Sequence, residues 1–178
     1  NAAAQGKFFL RAGTGVCLPS IENLDNELGA QERDKVRPGY GFGISLGRAF
    51  SENRWSFEIN FSTAFYPDFE YENAYEAPFT GKLRHYGYMG ILRRHWLQDS
   101  RWVKPSFGIG AGYGVANLVS GGGKMAAPEA LAALRIDSAI RQNLWLAIEG
   151  IYTIGLQTKP FKGPFLENVD TDAVMTSG

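Results

Sequence analysis

Between Arg54 and Phe65 the chain alternates without a break. Trp55, Phe57, Ile59, Phe61, Thr63 and Phe65 hold one set of positions, and Arg54, Ser56, Glu58, Asn60, Ser62 and Ala64 hold the other. A period of two kept this long puts the sets on opposite faces of a strand and does not suit a helix. The segment before it does the same: Tyr40, Phe42, Ile44 and Leu46 oppose Gly39, Gly41, Gly43, Ser45 and Gly47. So do Phe8, Leu10, Ala12 and Val16 against Phe9, Arg11, Gly13, Gly15 and Cys17. Later, Val103, Phe107, Ile109, Ala111, Tyr113 and Val115 oppose Lys104, Ser106, Gly108, Gly110, Gly112 and Gly114. Leu134, Ile136 and Ile140 oppose Arg135, Asp137 and Arg141. Leu144, Leu146, Ile148, Tyr152, Ile154 and Leu156 oppose Trp145, Ala147, Glu149, Ile151, Thr153 and Gly155. Segment 82–97 is less regular, with Tyr86, Tyr88, Leu92 and Trp96 against His85, Gly87, Met89, Ile91, Arg93 and His95. A faint eighth segment covers 169–178.

The connections fall into two kinds. Ser51-Glu52-Asn53, Gln98-Asp99-Ser100 and Gln142-Asn143 are tight turns, while 18–38, 67–81, 117–129 and 158–168 are long. Short and long alternate along the chain. With strands of about 9–11 residues, enough to cross a bilayer while tilted, this predicts an all-β fold: an eight-stranded antiparallel up-and-down transmembrane β-barrel with short periplasmic turns and long outer loops. No linker or low-complexity tract divides the chain, so residues 1–178 are expected to form one domain.

Composition decides which face meets which solvent. Glycine supplies 22 of 178 residues and aromatics 13%, and the glycines crowd the non-apolar face. A soluble lipocalin-like barrel turns its apolar face inward and shows Lys, Glu and Thr to water. Rows of glycine on such a surface would lose entropy and gain no packing. Inside a narrow barrel they make room. The apolar row also carries aromatics toward both ends, Phe8, Phe50, Trp55 and Trp96 near the tight turns and Tyr40, Phe65, Tyr86, Tyr113 and Tyr152 near the long loops, as two membrane interfaces favour. The 18 basic and 18 acidic residues cancel, which gives no footprint for nucleic acid. The start Asn1-Ala2-Ala3-Ala4-Gln5 lacks the basic and apolar parts of a signal peptide and suits a mature end.

Two stretches carry a resemblance. Gly6-Lys7-Phe8-Phe9-Leu10-Arg11-Ala12-Gly13 is similar to the first strand of W-type outer-membrane proteins. Lys104-Pro105-Ser106-Phe107-Gly108-Ile109-Gly110-Ala111-Gly112 is similar to a strand that recurs across the A-, X- and W-type proteins. The chain thus resembles the small eight-stranded outer-membrane barrels of Gram-negative bacteria. The resemblance implies residence in the bacterial outer membrane and contact with its lipid and lipopolysaccharide. It departs at Met175-Thr176-Ser177-Gly178, where such barrels end on an aromatic residue, so the last strand reads as truncated or atypical.

The inward charges are Arg11, Glu58, Arg93, Lys104, Arg135, Asp137 and Glu149. Desolvated charges need opposite partners, so these are expected to pair and close the lower lumen. Gly13, Gly15, Gly41, Gly43, Gly110, Gly112 and Gly114 would line a cup above them, unless bulky residues such as Met89 fill it. No catalytic residue is expected. Lipid A deacylases, one group within the small barrels, set His and Ser two apart on one strand, whereas here His85 is followed by Tyr86-Gly87 and His95 by Trp96-Leu97. Two distant histidines and the single Cys17 match no metal-ligand spacing, and no cofactor is expected. The acidic, aromatic loop 67–81 (Asp68, Glu70, Glu72, Glu76 among Phe69, Tyr71, Tyr75, Phe79) and loop 18–38 are the candidate contacts for a partner protein; Lys159 and Lys162 in loop 158–168 are placed to meet lipopolysaccharide phosphates. The function read from this pattern is structural, surface-interaction or small-solute. The alternatives are a lipid A-modifying enzyme and a soluble ligand-binding barrel.

Overall fold

A computed structural model describes residues 7–20, 37–50, 52–72, 78–97, 103–119, 123–141, 144–155 and 175–177. Among them there is no helix; the fold is all-β. The strands are β1 (Phe8–Cys17), β2 (Pro19–Ser20), β3 (Gly39–Phe50), β4 (Trp55–Phe65), β5 (Phe69–Glu72), β6 (Pro78–Gly81), β7 (Leu83–His95), β8 (Lys104–Leu118), β9 (Gly123–Arg141), β10 (Leu144–Gly155) and β11 (Met175–Ser177). Seven long antiparallel strands, β1, β3, β4, β7, β8, β9 and β10, make one sheet curled into a half-barrel. Its order continues through β11 to β2. β2 follows β1 after Leu18 alone, so the order begins and ends on neighbouring stretches of chain. The faint eighth segment is represented by β11, which pairs Thr153 with Ser177 and Gly155 with Met175; 169–174 lie outside the described residues.

Polarity is divided as the alternation predicts, and the apolar row is the exposed one. Ile148 is 79% exposed, Val16 73% and Phe8 and Leu10 72%, while Glu58 and Arg93 on the concave side are 1% exposed. Cross-strand neighbours stabilise the convex face: Tyr40 stacks on Phe65 at 5.4 Å between ring centroids, and Phe61 meets Tyr88 at 5.1 Å. Thr14 lies in the same outward row and donates its hydroxyl to the Gly41 carbonyl at 2.9 Å.

The hairpin between β3 and β4 turns through Glu52 (φ 56°) and Asn53 (φ 64°). Two consecutive left-handed residues match the twist of the flanking strands. The other two tight turns, 98–100 and 142–143, lie outside the described residues, as does 158–168. One expected loop is not a loop. Residues 117–129 belong largely to β8 and β9, which pair from Lys104↔Asp137 out to Leu118↔Gly123. The stretch Met125-Ala126-Ala127-Pro128-Glu129-Ala130 hides its period because alanine falls on both faces. Proline also argues against a central strand. Here Pro128 pairs with Tyr113 on β8, and the described β9–β10 pairs run to Gly155↔Glu129, one residue short of it. Loop 67–81 contains the paired strands β5 and β6, with Tyr71 opposite Phe79. Loop 18–38 begins with β2, and 21–36 lie outside the described residues.

The glycines of the concave face are of two kinds. A Cβ on Gly112 would collide with the Tyr88 carbonyl oxygen and lie 2.7 Å from Met89 Sδ, and one on Gly110 would lie 2.7 Å from the Gly90 carbonyl oxygen. Gly13 and Gly15 on β1 face open space, with nothing within 4 Å. Gly112→Ala should therefore cost about 1–3 kcal/mol through forced displacement. Gly13→Ala should be neutral or stabilising by about 0.5 kcal/mol through the unfolded chain. Urea unfolding of the two variants beside the parent checks the contrast; equal effects would contradict it.

Candidate functional site

Alternation sends Arg11, Glu58, Arg93, Arg135, Asp137 and Glu149 to the concave side. Curling then brings strands that are not neighbours within reach of one another. Arg11 on β1 donates to Glu58 on β4. Arg93 on β7 donates from Nε to the same Glu58 oxygen at 2.9 Å, and from Nη2 to Glu149 on β10, three strands along the sheet. Arg135 lies 3.5 Å from the second Glu149 oxygen and donates to Asp137 at 2.8 Å. The result is one chain of alternating sign, Arg11–Glu58–Arg93–Glu149–Arg135–Asp137. Six of the seven charges expected at this site are joined. Lys104 stands apart, its ammonium 4.8 Å from the centroid of the Trp145 ring, although the β8–β9 register sets it opposite Asp137.

Ser56 braces the chain, donating to Glu58 at 3.2 Å, and lies 2.9 Å from His95 Nε2. Alternation alone did not single out this pair, because the residues lie on different strands, 39 apart in sequence. A hydroxyl beside an imidazole is the first contact of a nucleophile–base pair. Here the hydroxyl is 0% exposed, and the adjacent carboxylate holds the serine and two arginines rather than orienting the imidazole. The contact serves Glu58.

Above the charges the inner face of β7 and β9 is apolar, while beside it on β4 and β3 Asn60 Nδ2 donates to Ser45 Oγ at 2.8 Å. Met89, Ile91, Leu131 and Ala133 pack into one buried cluster from β7 and β9, lying over the glycines of β8: Ile91 is the nearest side chain to Gly108 and Gly110, and Met89 to Gly112. Further toward the long-loop end, His85 and Glu129 meet at 2.7 Å. Glu129 lies flat over Gly114, where a Cβ would collide with its carboxyl group. Sequence reading missed Glu129 because it fell within the expected loop. The signal was the period of two running back from Asp137 through Arg135, Ala133 and Leu131 to Glu129. Tyr66, just past β4, is buried, and that burial pushes its phenol above the ordinary range, so it stays neutral.

Along β7, β8 and β9 the concave side thus runs from charge through hydrocarbon to a His–Glu pair. At Gly112, Gly114 and Gly110 the room is taken by neighbouring atoms; at Gly13 and Gly15 it is open; a Cβ on Gly41 would come 2.7 Å from Cys17 Sγ, and one on Gly43 would find ordinary contacts from 3.5 Å. Among the described residues no group of three or more His, Cys, Asp or Glu is arranged to hold a metal ion. The chain matches no protein-family model, no curated protein and no solved structure.

Removing one partner of a buried pair strands the other. Glu58→Ala leaves both Arg11 and Arg93 short of a counter-charge and should cost about 3–5 kcal/mol. Glu149→Ala should cost less, because its side chain is 22% exposed and Arg93 keeps Glu58. Urea midpoints of the two variants test the ranking; a larger loss for Glu149→Ala would reverse the assigned roles.

Proposed function

We propose that this chain is an integral β-barrel protein of a bacterial outer membrane. It holds surface loops or assists a small solute rather than catalysing a reaction, and its lumen is sealed by the charge chain. The observation that carries the reading is the inverted polarity of the sheet. Phe, Ile, Leu, Val and Tyr side chains cover the convex face, while Glu58, Arg93, Ser56 and Ser106 are 0–1% exposed on the concave one. A water-soluble barrel has the opposite arrangement; a barrel in hydrocarbon requires this one. The order of strands supports closure, since β11 links β10 to β2, the direct continuation of β1.

In this reading the tight turns face the periplasm and the loops 18–38 and 67–81 face outward. The loops offer surfaces to a protein partner or to lipopolysaccharide. Within the lumen the charge chain and the Met89–Leu131 cluster block a continuous water path.

Cell fractionation tests the location. The protein should stay with the outer membrane through a salt wash and come off in detergent; recovery in the soluble fraction would favour a ligand-binding barrel. Ile59, 62% exposed at mid-strand, should not tolerate charge: Ile59→Arg should cost about 2–4 kcal/mol in vesicles, whereas Asn60→Ser, on the inner row, should cost about 1 kcal/mol, the bond from Asn60 Nδ2 to Ser45 Oγ. The reverse ranking would invert the assignment of faces. In planar bilayers the monomer should give small or no conductance; large stable steps would refute a sealed lumen.

A further inference from the structure

The two ends of the convex face differ in chemistry. Toward the long loops its aromatics are largely tyrosines: Tyr40, Tyr88, Tyr113 and Tyr152 are 48–66% exposed. Toward the tight turns they are phenylalanine and tryptophan, and two outward arginines there sit against rings. Arg48 lies over Phe8 at 5.3 Å from the centroid, and Arg94 over Trp55 at 5.6 Å. Register fixes both pairs. Arg48 is opposite Phe8 on one side and Phe57 on the other. Arg94 is opposite Trp55 on one side and Phe107 on the other. Lys7 and Arg54 are exposed on the same rim. The acid that meets them among the described residues is Glu52, 3.8 Å from Arg54, with both side chains open to solvent.

An arginine laid on an aromatic ring is held in place without using its hydrogen-bonding capacity. Its guanidinium stays free to donate to oxygen, and the fork matches two oxygens of one phosphate. The rings beneath prefer the level where acyl chains meet headgroups. Ring and guanidinium together fit a phospholipid: acyl and glycerol portion against Phe8 or Trp55, phosphate against Arg48 or Arg94. Among the described residues of this rim positive charge outnumbers negative, Arg48, Arg94, Arg54 and Lys7 against Glu52, which favours a headgroup of net negative charge over a zwitterionic one.

We propose that the Arg48–Phe8 and Arg94–Trp55 pairs are two seats for anionic glycerophospholipids of the phosphatidylglycerol type, in the leaflet nearest the tight turns. The proposal rests on the membrane reading above and adds which lipid, in which leaflet, and on which residues. At the opposite rim Arg84 also lies near a ring, Phe65, at 5.8 Å, but neighbouring Lys82 is already paired with Asp68 at 3.3 Å. That rim is the built-in control.

The test uses the full chain inserted into phosphatidylcholine vesicles containing about one-fifth phosphatidylglycerol, then extracted gently and weighed intact by native mass spectrometry. The ratio of phosphatidylglycerol to phosphatidylcholine in the retained lipid should exceed the bilayer ratio by about fivefold, as roughly 1 kcal/mol for the one arginine of each seat implies. Raising salt should erode the enrichment. Replacing both turn-rim residues, Arg48→Gln with Arg94→Gln, should abolish it, and each single change should remove about half of the bound lipid. Lys82→Gln with Arg84→Gln should leave it intact. Retention in proportion to bilayer composition overturns the proposal, as does enrichment that survives the turn-rim double change or that excess inorganic phosphate displaces. Salt dependence is read on the parent chain, so the conclusion does not hang on a variant that fails to fold. Failure to insert into any vesicle would instead bring down the membrane reading and this proposal with it; insertion without lipid preference brings down this proposal alone.

Discussion

A guanidinium that water cannot reach governs this architecture. Arg93 is 1% exposed and held between Glu58 and Glu149. Burying such a charge is costly unless both its surroundings and its partners are in place, and neither partner lies directly opposite it. Glu58 is on β4, next to β7, but directly opposite Ile91 rather than Arg93; Glu149 is three strands away. The bonds are satisfied only by a sheet curled tightly enough for one side chain to span its concavity. Curvature, glycine content and charge pairing are therefore a single constraint: glycines on β8 let the walls approach and the neighbouring side chains fill the space, and the approach lets the charges meet.

The charge chain also sets the order in which structure becomes worthwhile. Arg11 lies near the beginning of the described chain and Glu149 near its end, and the pairs joining them span 47 and 56 residues. A lone hairpin of β3 and β4 would carry Glu58 without either arginine. Local pairing is thus poorly rewarded until distant segments arrive, which is the condition for a slow, concerted assembly. The apolar layer above, Met89 and Ile91 against Leu131 and Ala133, likewise needs β7, β8 and β9 together.

Much of this was legible in the alternation. The faces of β3, β4 and β8 can be read directly from the sequence, because Trp55-Ser56-Phe57-Glu58-Ile59 and its counterparts contrast large apolar with small or charged residues. Six of the expected inner charges meet. Partnership was not legible: which arginine takes which carboxylate depends on curvature and register, and Lys104 turned to an aromatic ring. The alanine-rich start of β9 was lost for want of contrast, and with it Glu129 and its contact to His85. Ser56 and His95 were each visible, but their meeting required the β4–β7 ladder.

Pro128 has a consequence of another kind. It has no N–H, so β9 cannot donate a ladder bond from that position, whichever neighbour it faces. A strand pairing there, from this chain or from another, meets one missing donor, which makes that stretch a poorer template for self-association. The residue that disguised β9 as a loop thus also sets a limit on what can pair with it.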